Sequence, residues 1–199
     1  NLNDPWSLTF INKNKILISE KSGSLILYDK MTKKKTSIPH NVKFNVSGQG
    51  GLLEVLKFKD DIYLCYSEDR GSGKSSTSIA KAKLSTTVLN FKNIFQSEPP
   101  IKSDYHFGCR MVIQDKQYLY ASSGERGRGN IAQDPTQHPG SIIRIHLDGS
   151  IPKDNPKFNG KTNWQPEIYQ IGIRNPQGMT LSPFNNKVYI SNHGARGGD

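Results

Sequence analysis

The residues able to do chemistry lie in five polar, glycine-rich segments. These are Ser47-Gly48-Gln49-Gly50-Gly51, Tyr105-His106-Phe107-Gly108, Ser123-Gly124-Glu125-Arg126-Gly127, Gly172-Ile173-Arg174-Asn175-Pro176-Gln177-Gly178 and Asn192-His193-Gly194-Ala195-Arg196-Gly197-Gly198-Asp199. Glycine lets a backbone approach a ligand closely, while Arg, Asn, Gln and His supply directed donors. An imidazole titrates near neutrality and so suits proton transfer. A fixed guanidinium stabilises charge developing on oxygen, and backbone carbonyls suit a hard cation. Each residue also has a structural reading. His106 can pack, Glu125 can be a solvated turn carboxylate, and Arg174 can be a strand-end ion pair.

Such side chains need a rigid frame, and the rest of the sequence describes one. Helical periodicity is almost absent, whereas short β-rich runs bounded by Gly, Asn, Asp, Ser and Pro recur throughout. Four pairs of runs resemble one another. Residues 6–10 lead to 15–20, 52–58 to 61–68, 110–113 to 117–122, and 178–181 to 186–191. Each pair is an apolar strand, a polar turn and an alternating strand that carries a serine at its end. The markers Ser19, Ser67, Ser122 and Ser191 are 48, 55 and 69 residues apart. A further strand follows three of the four pairs, at 24–28, 78–82 and 141–146. Several strands per unit at a period of about 50 residues predict propeller blades. A β-sandwich would have no reason to repeat its sequence. The glycine-rich segments follow or precede the repeated strands, where the loops of a propeller converge and function usually sits. The fourth unit lacks its following strand, so the sequence predicts an all-β propeller of about four blades with an incomplete ring. The whole of 1–199 is expected to be one propeller domain, truncated at the C-terminus and slightly at the N-terminus.

Composition removes several classes. The chain has 199 residues and a formal charge of +10. The excess is mostly Lys scattered through turns, as at Lys13, Lys15, Lys21 and Lys33-Lys34-Lys35, with no basic helix or basic–aromatic stripe. This predicts a solvated lysine-rich surface and no nucleic-acid partner. No apolar run approaches the roughly 18 residues of a membrane span. Cys65 and Cys109 have no metal spacing and sit in apolar strands, so they read as two buried thiols. Gly71-Ser72-Gly73-Lys74-Ser75-Ser76 lacks the first glycine of a phosphate-binding loop and reads as a hairpin loop. His138 and His146 have no spacing that argues for metal.

The same segments carry a family resemblance. Pro5-Trp6-Ser7, Gly48-Gln49-Gly50-Gly51-Leu52-Leu53, His106-Phe107-Gly108-x-Arg110 and Gly124-Glu125-Arg126-Gly127 resemble the soluble PQQ-dependent aldose sugar dehydrogenases, also called glucose/sorbosone dehydrogenases. So do Ala132-Gln133-Asp134, the run from Asp148 to Pro156, Arg174-Asn175-Pro176-Gln177-Gly178, and His193-Gly194-x-Arg196-Gly197-Gly198-Asp199. Eight motifs in order cover nearly the whole chain. The resemblance implies a six-bladed propeller, of which the last third is absent here.

It also implies roles. His106 would be the general base that takes the anomeric hydroxyl proton of an aldose while hydride leaves C1 for PQQ. Glu125, at a position that is often Asp, would orient or assist it. Arg174 and Asn175 would hold the PQQ ring and its carbonyl oxygens, with Arg174 counted as catalytic, and Gln49 would contact cofactor or substrate. Gly194 and Ala195 would offer backbone carbonyls to Ca²⁺, although many relatives carry Pro where this chain has Ala195. An external quinone or redox protein would collect the electrons, and the family implies a periplasmic or secreted location. Two alternatives stay open: a non-catalytic carbohydrate- or protein-binding propeller, and a Ca²⁺-dependent lactonase-type propeller.

Overall fold

A computed structural model describes residues 1–157 and 163–196. Motif residues Gly197, Gly198 and Asp199 lie outside the described residues. The chain divides into two compact units, Asn1–Gln96 and Ser97–Asp199.

The first unit holds two sheets. β1 (Pro5–Phe10), β2 (Lys15–Glu20), β3 (Leu25–Asp29) and β4 (Lys35–Ser37) form one, and β5 (Leu52–Phe58), β6 (Asp61–Asp69), β7 (Ser75–Lys83) and β8 (Lys92–Gln96) form the other. In the second unit β9 (Gly108–Gln114), β10 (Tyr118–Ser123), β11 (Ser141–His146) and β12 (Ile168–Ile171) form a third sheet, and β13 (Pro176–Leu181) pairs with β14 (Val188–Asn192). Each pairing between these strands is antiparallel and joins chain neighbours, so each sheet is a meander. The four repeated pairs of runs are β1–β2, β5–β6, β9–β10 and β13–β14, and the followers are β3, β7 and β11. The structure adds an outer fourth strand to three sheets. β4 is Lys35-Thr36-Ser37, fully exposed, and such a short polar edge leaves no apolar alternation to read.

Burial separates inner from outer strands. Ile62 through Ser67 of β6 are buried without a break, as expected for a strand covered on both faces. Leu17, Leu25, Leu52, Val55, Ile62 and Leu64 belong to the core of the first unit. In the second unit Tyr120, Ile142 and Ile173 form a smaller cluster, with Met179, Val188 and Ile190 packed against it.

Three of the four marker serines have a common task. Each first strand has an irregular register at its entrance: between Pro5 and Ser7, between Leu52 and Val55, opposite Ala121/Ser123 in β9, and between Pro176 and Gly178. The marker serine stands beside that irregularity. Ser67 Oγ accepts the Gly51 N–H at 2.6 Å and donates to Asn45 O at 2.5 Å. Ser122 Oγ accepts the Arg110 N–H at 2.9 Å, and Ser19 Oγ donates to Leu53 O at 2.5 Å. A bulge leaves backbone groups without ladder partners, and a small hydroxyl satisfies them. At Ser19, Ser67 and Ser122 the hydroxyl is therefore tied to an irregular strand entrance.

One sequence reading is modified. Neither cysteine is a free thiol: Cys65 and Cys109 are both disulfide-bonded and fully buried. Apolar surroundings suit a buried disulfide as well as a thiol, and spacing along the chain does not reveal spatial partners. The run from Asp148 to Pro156 is structural. Asn155 Oδ1 accepts from Arg144 Nε at 2.6 Å, Asp154 Oδ1 lies 2.6 Å from Arg144 Nη2, and the Arg144 guanidinium stacks between Tyr118 and Tyr169.

Asp61, at the β6–β7 hairpin base, lies 2.9 Å from Lys81 Nζ and 2.7 Å from Lys83 Nζ. Burial alone would raise its carboxyl, but hydrogen bonds from Lys83 and Lys81 outweigh burial and hold it below the ordinary range. Its contribution is therefore complete above the unfolded carboxyl value of about 3.9 and is lost as pH falls through the folded value. Lys83 is largely exposed, so the effect is expected to be less than about 1 kcal/mol. Urea unfolding between pH 3 and pH 6 should show a flatter acid limb for Asp61→Asn than for the wild type.

Candidate active site

Four segments meet at one end of the β9–β10 and β13–β14 hairpins. His106 immediately precedes β9 and Glu125 follows β10, while Arg174 and Asn175 precede β13 and His193–Ala195 follow β14. In antiparallel hairpins the start of one strand and the end of its partner share an edge. The repeat thus brings residues from four stretches of sequence to a single rim.

The tightest contact on that rim joins His106 to Glu125. Nδ1 lies 2.5 Å from Glu125 Oε1, with both side chains largely buried. A carboxylate at Nδ1 holds the ring through an Nδ1–H donor, which places the imidazole lone pair on Nε2. Glu125 is anchored by its own N–H, which donates to Arg174 O at 2.8 Å. Its second oxygen, Oε2, is buried without a hydrogen-bond partner. Arg174 Nε lies 4.0 Å from Oε1, and its Nη1 donates to His193 O at 2.7 Å. Arg174 is therefore braced by β14's exit loop while remaining one-third exposed.

These side chains border a cleft of about 470 Å³, within the range of small-molecule sites. His106, Glu125, Gln133, Ile173, Arg174 and Ala195 are among its walls. One wall is cationic and another carries a paired imidazole, so the cleft suits an oxygen-rich anion. PQQ, which carries three carboxylates, fits that description.

His106 stands in a left-handed backbone conformation, φ 51°, which is uncommon for a non-glycine residue. Glycines make this geometry sterically open. Gly108 has φ 65°, and a Cβ at Gly124 would fall 2.1 Å from the His106 carbonyl oxygen.

Asn175 is placed differently from the other candidates. It is buried, and its Oδ1 accepts the Gly108 N–H at 3.1 Å and Gln177 Nε2 at 3.0 Å. It ties the base-bearing segment to β13 and does not line the cleft. Gln49 lies in an exposed turn of the first unit, where Lys21 Nζ donates to the neighbouring Gly48 O at 3.0 Å. Gly194 and Ala195 follow β14, and Ala195 lines the cleft. Among the described residues no three His, Cys, Asp or Glu side chains gather as a metal site. The calcium expectation accordingly rests on backbone carbonyls.

Sequence reasoning gave no role to Gln133, Ile173 or Arg126. Gln133 lies within a family motif and Ile173 just before one, and only the folded loop shows that they face the cleft. Arg126 looks in sequence like a solvated turn charge, yet it is only 2% exposed.

The Glucose / Sorbosone dehydrogenase family model matches residues 2–199. The chain belongs to this family. Glucose/sorbosone dehydrogenases of known name align along all of it. It is 36% identical to the aldose sugar dehydrogenase YliI of Escherichia coli, covering 100% of this chain and 56% of YliI. The apo-form crystal structure of the soluble aldose sugar dehydrogenase from Escherichia coli superposes with a TM-score of 0.93 at 34% identity, over 100% of this chain and 59% of that one. The PQQ-bound aldose sugar dehydrogenase of Streptomyces coelicolor gives 0.83 at 25% identity, over 98% and 58%. The chain therefore spans between half and two thirds of the length of these family members, and the β-propeller class expected from the repeat is theirs.

Proposed function

We propose that the protein containing this chain oxidises an aldose at its anomeric carbon to the lactone, using PQQ and passing the electrons to an external acceptor. The observation that carries this reading is the His106–Glu125 pair facing a cleft whose other wall is Arg174. Bound PQQ would supply a hydride acceptor.

The chain's own residues would do the rest. Glu125 fixes the His106 ring, so Nε2 takes the proton of the anomeric hydroxyl as the C1 hydride departs and the C1–O double bond forms. Arg174 holds a fixed cation against oxygen atoms whose negative charge grows in that step. Asn175 supports this from behind by fixing the Gly108 end of the His106 segment. Gln49 is retained as a cofactor or substrate contact, and the carbonyls of Gly194 and Ala195 as partial ligands for Ca²⁺. We infer one propeller domain over residues 1–199, continued elsewhere in the complete protein.

No helix among the described residues is long and apolar enough to cross a membrane. Disulfide-bonded cysteines persist in oxidising compartments, which supports a periplasmic or secreted location.

The test is reconstitution of the full-length protein with PQQ and Ca²⁺. Dye-linked aldose oxidation and a visible band shift on PQQ titration are expected. A full-length protein that binds sugar but shows neither would overturn the enzymatic reading in favour of a carbohydrate-binding propeller.

A further inference from the structure

Glu125 and Arg126 are neighbours in one glycine-bounded turn, yet they face different tasks. Glu125 reaches the cleft, whereas Arg126 turns into the protein beneath the loop that carries His106. Its Nε donates to Tyr105 O at 2.9 Å and its Nη2 to Ser103 O at 2.5 Å. Its guanidinium carbon lies 3.7 Å from the centre of the Phe107 ring, and its backbone N–H donates to His106 O at 3.3 Å. Ser103, Tyr105, His106 and Phe107 are thus all held by one residue.

That hold has something to oppose. His106 at φ 51° and Cys109 at φ 69° are non-glycine residues in the left-handed region, and a residue held in such a region costs on the order of 1–3 kcal/mol. Such a conformation persists only where the surroundings over-determine it. Arginine suits the task better than lysine. Its planar fork serves two carbonyls at once while its face lies on an aromatic ring; an ammonium is a point charge. Burial lowers the guanidinium to about 10, with the Asp104 carboxylate opposing, so it stays cationic at neutral pH. Burying a cation is costly, and this one is not among the residues lining the cleft.

We infer that Arg126 is a positioning residue, which fixes the left-handed loop so that the His106 ring meets Glu125 and points Nε2 into the cleft. For catalysis this rests on the proposed function; for geometry it does not.

The test compares wild type, Arg126→Lys and Arg126→Met in the full-length protein. Its first readout needs neither cofactor nor sugar: the far-downfield proton resonance of the His106 Nδ1–H···Oε1 contact, assigned by its disappearance in Glu125→Gln. The resonance is expected in wild type and lost or shifted in both variants. Its absence from wild type would overturn the paired geometry and the inference with it. In the reconstituted enzyme, kcat should fall by about 10–100-fold with KM and PQQ affinity within about threefold, the pattern of a misaligned group. Arg126→Lys keeps the charge and is expected to fold, so it decides the matter should Arg126→Met not fold. Phe107→Leu, which removes the ring beneath the guanidinium, should shift the resonance in the same direction. Lower thermal stability with an unchanged resonance and unchanged kcat would reduce Arg126 to a structural residue and overturn the inference. A wild type that has the resonance but oxidises no aldose with PQQ defeats the functional reading alone.

Discussion

Replacing His106 by Ala in the full-length, PQQ-reconstituted protein is expected to lower kcat for aldose oxidation by about 10²–10⁴-fold, the usual contribution of a positioned general base. The expectation follows from geometry more than from residue type. The ring is fixed at Nδ1 by a carboxylate 2.5 Å away, whose residue is anchored in turn by its backbone N–H donating to the Arg174 carbonyl, and the Arg174 side chain approaches the carboxylate. Removing the imidazole leaves Arg174 in place, so PQQ affinity should change little while turnover collapses. Glu125→Gln should cost less, because the ring remains although its orienting charge is lost. The double variant should be no slower than His106→Ala, since residues acting as a unit are not additive. A dye-linked assay at saturating aldose checks both. Activity within tenfold of wild type in His106→Ala would remove this residue from the role of base.

Most of the scaffold can be read from the sequence because its inner strands alternate and repeat. The eight strands of the paired runs carry Leu, Ile, Val, Tyr and Phe at regular places, and the serine at the end of each second strand gives the period. The outer strands escape this reading. Lys35-Thr36-Ser37 has no apolar residue, and Ile168-Tyr169-Gln170-Ile171 is too short to show a period. The site is legible to a different depth. His106, Glu125 and Arg174 stand in motifs whose order along the chain identifies them, and the fold brings all three to one cleft. Asn175 stands in the same motif, but burial gives its side chain to Gly108 and Gln177. Motif membership fixes which loop a residue is on, not which way it points. Arg126 shows the converse. Sequence cannot distinguish a solvated arginine from one folded under its own loop, because the carbonyls it binds come from residues about 20 positions earlier. The cysteines fail for a related reason: an apolar strand context looks the same whether the buried sulfur is a thiol or disulfide-bonded.

The second large effect is expected at a residue with no side chain. Gly124→Ala should lower kcat by about 10²-fold, as a displacement near 1 Å at a reacting group can do. The added methyl would lie 2.1 Å from the His106 carbonyl oxygen, 2.5 Å from its carbonyl carbon and 3.1 Å from the Gly108 N. Those atoms are backbone, so no flexible side-chain end can swing away. The facing strand entrance is already fixed by Asn175 at Gly108 N and by Ser122 Oγ at Arg110 N, which leaves the His106 segment to move. Moving it withdraws the ring from Glu125 and shifts the carbonyl that Arg126 N–H holds. Overpacking of this kind also costs about 1–3 kcal/mol of stability, so urea unfolding should report a lower midpoint with an unchanged slope. The cleft cation Arg174 lies on another loop, and PQQ binding should survive. A Gly124→Ala protein with wild-type kcat would show that the loop can retreat without disturbing the base. In that case the proximity of Gly124 to His106 would be a matter of packing alone.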